Sequence, residues 1–138
     1  MPPIKAPAAM GPRELQLCEL VLPRLANHYG TLFGPEALAL LGRCAYLLAA
    51  SHCRQAVVMA AAQDIAFLAP VPVGSLLQLR AAVLRRGRSS LSVAVSATLD
   101  GPGGAAEVLR ARFEMVAVDG QGRPTPLPQE QNQEEIPA

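Results

Sequence analysis

The sequence predicts an α+β domain in which an antiparallel sheet wraps one long helix. An Ala- and Leu-rich stretch without internal proline runs over 35–52, and after it the apolar period changes from that of a helix to two. The turns between the later segments are also too short for parallel crossovers. At 138 residues the chain fits one domain with one core.

Glu14 to Leu22 is short and mostly apolar, closed by Pro23, and reads as a strand. Pro35 then occupies the first helical position, where a missing N–H costs least, and the predicted helix runs to His52, about 26 Å at 1.5 Å per residue. Apart from Arg43 its interior is apolar nearly all round, so the expectation is an enclosed helix. Val57 to Phe67 opens a series of strands, punctuated by Pro70, Pro72, Gly74, Gly87 and the turn Gly101-Pro102-Gly103-Gly104. Leu91, Val93, Val95, Ala97 and Leu99 alternate with more polar neighbours, as do Leu109, Ala111, Phe113, Met115 and Ala117. Each such strand has one face for a core.

Eight of the 13 prolines lie in the terminal segments, and the last residues are polar and acidic. The expected organisation is a disordered tail over 1–13, a folded domain over 14–128 and a polar tail over 129–138.

Composition limits function. A hydrophobic content of 51% with 17% charged residues excludes a disordered chain, and no apolar run reaches the roughly 18 residues of a membrane span. A net charge of +1 gives no general reason to expect a nucleic-acid or membrane partner. Cys18, Cys44 and Cys53 are odd in number and lack metal-ligand spacing, so neither a disulfide framework nor a metal site is expected. With no apolar signal core at the N-terminus, the expected location is the cytoplasm.

Four stretches carry more specific information: Leu22-Pro-Arg-Leu-Ala-Asn27-His-Tyr-Gly30-Thr-Leu-Phe33-Gly34, Phe67-Leu-Ala-Pro-Val-Pro-Val-Gly74, Gly87-Arg-Ser-Ser-Leu-Ser92, and Phe113 through Pro128. In their order and spacing, with Ser51-His52-Cys53 closing the helix, the chain resembles the hotdog-fold acyl-CoA thioester hydrolases over residues 17–128. The resemblance implies a sheet of five or six strands around the helix, and a homo-oligomer: a dimer with a joint sheet, often assembled as a trimer of dimers. It implies an active site between subunits, with acyl-CoA as substrate and coenzyme A as part of that substrate rather than a separate cofactor.

Carried over by position, Asn27 matches the family's loop Asn and Gly34 the first glycine before the helix, the two catalytic candidates. Phe33, Arg88, Ser89 and Ser90 are the candidates for substrate binding. A helix N-terminus offers unpaired N–H donors to a developing oxyanion, while hydroxyls and a guanidinium suit phosphate oxygens. Two departures stand out. The family's second glycine is Pro35, which removes an N–H, and its helix carboxylate falls on Gly42, which can act neither as base nor as nucleophile. Slow hydrolysis, raised at least about tenfold by Gly42→Asp, is the expectation. The alternative is a non-catalytic hotdog protein that binds acyl-CoA or a related thioester.

Other chemistry-bearing residues have ordinary explanations beside functional ones. Glu36 suits the positive end of the helix and His52 the negative end. Asp64 fits a solvent-facing strand position, and Arg43 reaches solvent by snorkelling or binds an anionic group. His28 has the pKa range of a general base but lies beside the Asn at a position that varies in the family. Cys44 reads as a small core residue. A hydratase would require an Asp and His pair before the helix, and that loop has Asn27-His28 and no acid.

Overall fold

The computed structural model describes residues 10–128. The chain forms β1 (Glu14–Leu20), a 3-10 turn (Pro23–Leu25), α1 (Gly34–Cys53), β2 (Val57–Phe67), β3 (Leu76–Arg86), β4 (Ser90–Gly101) and β5 (Gly104–Ala117). The strands make one five-stranded sheet in the order β1-β3-β4-β5-β2, with every pairing antiparallel. The α+β fold with one helix against an antiparallel sheet is the one expected from the sequence.

The alternation decides which face meets the helix. Leu91, Val93, Val95 and Ala97 of β4, with Leu109, Ala111, Phe113, Met115 and Ala117 of β5, are buried against Leu41, Cys44, Ala45 and Leu48 of α1. Ser96, Arg110 and Arg112 point to the outer face of the sheet, where they line a shallow cleft of about 480 Å³. The strand expected over 14–22 ends at Leu20, because Val21 turns inward and exchanges backbone hydrogen bonds with Ser75 and Gly74 (2.9 and 2.8 Å).

Enclosure of the helix needs correction. Ala39, Arg43, Tyr46 and Leu47 form an exposed stripe on α1, since a single sheet covers only one side of a cylinder. Along β2, at the end of the sheet order, Val58, Met59, Ala60, Ala61, Ala62, Ile65 and Phe67 are exposed as well. This strand is bulged twice against β5, and Asp64 takes a left-handed φ of 54° within the second irregularity.

The expected tails lie outside the described residues at 1–9 and 129–138. Residues 10–13, expected to belong to the N-terminal tail, include two that are tied to the end of the helix. The Gly11 N–H donates to the His52 carbonyl at 2.9 Å, the Pro12 carbonyl lies 3.0 Å from His52 Nδ1, and Arg13 accepts from the Val83 N–H at 2.9 Å. The last carbonyls of a helix lack internal donors, which gives this strap its purpose. Only glycine fits at position 11, where a Cβ would stand 1.8 Å from the Ser51 carbonyl oxygen.

Candidate functional site

Chain direction sorts the candidate residues into two groups at opposite ends of α1. At its N-terminal end, Asn27 opens a turn: its Oδ1 accepts from the N–H groups of Tyr29 (2.9 Å) and Thr31 (3.1 Å), and its Nδ2 donates to Thr31 Oγ1 (3.0 Å). The Gly30 N–H donates back to the Asn27 carbonyl at 3.2 Å, with Gly30 at φ 80°. Asn27 therefore holds its own loop. That loop docks on the segment after β2, through Leu32 N–H to the Val71 carbonyl (2.8 Å) and Val73 N–H to the Gly30 carbonyl (3.0 Å).

The docking leaves a cavity of about 310 Å³ against the first turn of the helix, lined by Gly34 and by the apolar Leu32, Ala37, Phe67, Val71 and Leu109. A Cβ on Gly34 would meet nothing within 4 Å, so the helix backbone faces open space there. The first bond of the helix is from the Ala37 N–H to the Phe33 carbonyl (2.9 Å). Ahead of it come the N–H groups of Gly34 and Glu36 at the positive end of the helix, with Pro35 contributing none. Phe33 stands half exposed beside them. Apolar side chains together with exposed backbone at a helix N-terminus suit a molecule with a hydrocarbon chain and a polarised carbonyl.

Arg88, Ser89 and Ser90 lie at the other end, in the β3–β4 hairpin. The end of β5 and the segment after it fix them: the Leu127 N–H donates to the Arg88 carbonyl (2.8 Å), and the Ala117 N–H to that of Ser89 (2.9 Å). This hairpin lies near the end of β2 that follows the helix C-terminus, since Ser90 pairs with Val116 and Val116 with Val58. A 20-residue helix is about 30 Å long. Within one chain, Gly34 and Arg88 do not share a site.

The remaining candidates have structural partners. Arg43 reaches solvent and lies 3.7 Å from Glu19, and Asp64 lies 3.4 Å from Arg112 on the outer face. The His28 ring lies against that of Tyr29, centroids 4.1 Å apart and tilted by 38°. His52 is fully buried, and desolvation is the main reason its pKa is lowered. Burial pushes the Cys44 thiol up to about 11, which keeps it protonated and unreactive at neutral pH.

Gly42 is buried at mid-helix and faces the sheet near its β2 side. A Cβ placed there would stand 3.1 Å from Met59 Cε and 3.9 Å from Phe113 Cε1. The sequence reading missed Met59. A glycine inside an otherwise strong helix is the signal that something large approaches it, but only the register of β2 identifies which residue does.

A family model described as "Thioesterase superfamily" matches residues 29–106. Protein VdlD of Helicobacter pylori is 31% identical over 132 residues, covering 89% of this chain and 71% of that protein. The acyl-CoA hydrolase of Staphylococcus aureus, solved with butyryl coenzyme A and coenzyme A, superposes with a TM-score of 0.79 at 28% identity, covering 88% of this chain and 77% of that one. Variants of that hydrolase with an Asn, an Asp or a Thr changed to Ala have also been solved. An apo-hexameric acyl-CoA thioesterase superposes with a TM-score of 0.79 at 36% identity, covering 88% of this chain and 81% of that one. By sequence and by fold, this chain belongs to the thioesterase superfamily, among the hotdog-fold acyl-CoA thioester hydrolases.

Proposed function

We propose that this protein takes acyl-CoA thioesters at sites shared between two protomers, and that its rate of hydrolysis is limited by the absence of a carboxylate at position 42. The observation that carries the reading is the cavity against the first turn of α1, walled by apolar side chains and by the backbone of Gly34 at the positive end of the helix. The acyl chain would fill the cavity. The thioester oxygen would accept from Gly34, with Asn27 keeping the loop over it in shape.

Phosphate recognition by Arg88, Ser89 and Ser90 demands a second copy, because these residues lie beside the C-terminal end of a helix about 30 Å long and Gly34 lies at its N-terminal end. Antiparallel pairing of two β2 edges about a two-fold axis would bring the Gly34 end of one protomer toward the Arg88 end of its partner. The exposed apolar residues of β2 favour such pairing, and the hexameric relatives support a larger assembly built from it.

Gly42 favours a second reading, a protein that binds acyl-CoA without cleaving it. Calorimetry with coenzyme A, together with an assay of thiol release from butyryl-CoA, tests both. Binding weakened by added salt and by Arg88→Ala with Ser90→Ala is the expected result. No binding at millimolar ligand would sink both readings, and binding without thiol release would select the second.

A further inference from the structure

Position 42 lacks a carboxylate, and the same space is already filled. Met59 Cε stands 3.1 Å from where a Cβ would be, closer than side chains ordinarily approach, and the Phe113 ring lies at an ordinary contact distance of 3.9 Å. A carboxylate introduced there would press on a thioether and an aromatic edge, neither of which donates a hydrogen bond to it. The Staphylococcus aureus hydrolase adds an independent observation. The Asn, Asp and Thr replaced in its variants have the same mutual spacing along the chain as Asn27, Gly42 and Met59 here. Where that enzyme has an acid and a hydroxyl, this chain has a residue with no side chain and a long apolar one reaching toward it.

We propose that Gly42 and Met59 form a coupled pair, in which Met59 plugs the space over Gly42 and shields a bound thioester from water, so that efficient hydrolysis requires changing both residues together. This rests on the reading that acyl-CoA binds between two protomers, with the helix N-terminus of one copy facing Gly42 and Met59 of the other, because Gly42 lies eight residues, about 12 Å, from Gly34 in its own helix. Met59 is a positioning residue: its methyl group stands where a side chain at position 42 would begin, and it acts by excluding water from that place. The plug is movable, since Met59 is 46% exposed on an edge strand and its side chain is flexible.

Replacing both residues supplies what each single change lacks. Gly42→Asp alone leaves its carboxylate against the methyl group. Met59→Thr alone opens space and provides a hydroxyl with no acid to work beside. In the double variant the hydroxyl can donate to the carboxylate. The carboxylate then takes a proton from water as the water oxygen bonds to the thioester carbon; the C–S bond breaks, the proton passes to the sulfur, and the products are the free acid and coenzyme A thiol.

The test measures thiol release from butyryl-CoA by wild type, Gly42→Asp, Met59→Thr and the double variant, with coenzyme A binding followed separately by calorimetry. The expected result is retained binding in all four, slow release by wild type, and a double variant at least about tenfold faster than either single one, a low fraction of the 10² to 10⁴-fold typical of a general base. Gly42→Asp matching the double variant, or brisk release by wild type, would overturn the coupling. Binding without any gain in the double variant would overturn it too, whereas absent binding in wild type would overturn the acyl-CoA reading on which it rests. Should the Asp variants fail to fold, Gly42→Ala with and without Met59→Thr provides the same contact as a stability measurement. Relief of the Ala penalty by Met59→Thr supports the pair, and strictly additive melting shifts refute it.

Discussion

At the scale of single residues, glycine carries much of the information, and each instance reports a different pressure. Position 11 is glycine because a carbonyl lies where its Cβ would be; position 42 has a methyl group beside it; position 34 has open space. Open space makes Gly34 a clean probe. Gly34→Ala places a methyl group at the mouth of the cavity without touching the fold, and a helical Gly changed to Ala ordinarily gains roughly 0.4–1 kcal/mol from the unfolded chain. A melting temperature equal to or above that of wild type, together with at least about fivefold weaker binding of butyryl-CoA, is expected, a modest loss on the scale set by one methyl-sized clash. Unchanged affinity would show that the ligand does not use this cavity. Legibility differed among these positions. Motif spacing singles out Asn27, Gly34 and Gly42 as candidates, whereas Met59 depends on strand register. Asn27's place in its own turn depends on where the Thr31 hydroxyl falls, and no pattern of residue types encodes that.

At the scale of elements, the helix was legible almost to its ends, because Pro35 and the Ala- and Leu-rich run mark it directly; it extends one residue further each way, to Gly34 and Cys53. The strap at its C-terminal end was not, since a proline-rich segment reads as a tail until its carbonyls are seen to meet particular donors. His52 records how firmly that strap is held. It is buried, accepts no charge easily, and has Arg13 and Arg86 nearby, both of which disfavour its protonated form; burial is the larger cause of its lowered pKa. In the unfolded chain the same imidazole takes up a proton near its ordinary value of 6.5. The unfolded state therefore binds more protons than the folded state below that pH. The stability that depends on neutral His52 is complete above about 6.5, declines as pH falls below it, and stops declining once the folded-state pKa is passed. Chemical denaturation between pH 7.5 and 5 should show this loss in wild type, and a shallower one in His52→Gln. Equal slopes in the two proteins would mean that another group governs the response.

At the scale of the whole molecule, the helix expected to be enclosed keeps an exposed stripe, and that stripe, beside the apolar edge of β2, is where one sheet leaves it uncovered. The sequence did not indicate that the two halves of the proposed site lie at opposite ends of the helix, because separation in space depends on how the strands are ordered. In the proposed site, assembly and binding are linked by that separation. Where two 11-residue β2 strands overlap fully about a two-fold axis, Ala62, at the middle of the strand, meets its own copy. Ala62→Lys then sets two ammonium groups opposite each other on an edge where lysine already discourages pairing. Ala62 is exposed in the single chain, so the substitution leaves the protomer fold intact, which circular dichroism checks. Wild type is expected to sediment as a dimer or larger, and Ala62→Lys to shift toward the 14.5 kDa protomer. Coenzyme A affinity should fall along with the assembly, since a lone protomer holds the Gly34 and Arg88 ends about 30 Å apart and can offer only one of them to each ligand. A 14.5 kDa species that binds coenzyme A as tightly as wild type would place the whole site within one chain and remove the case for a shared one.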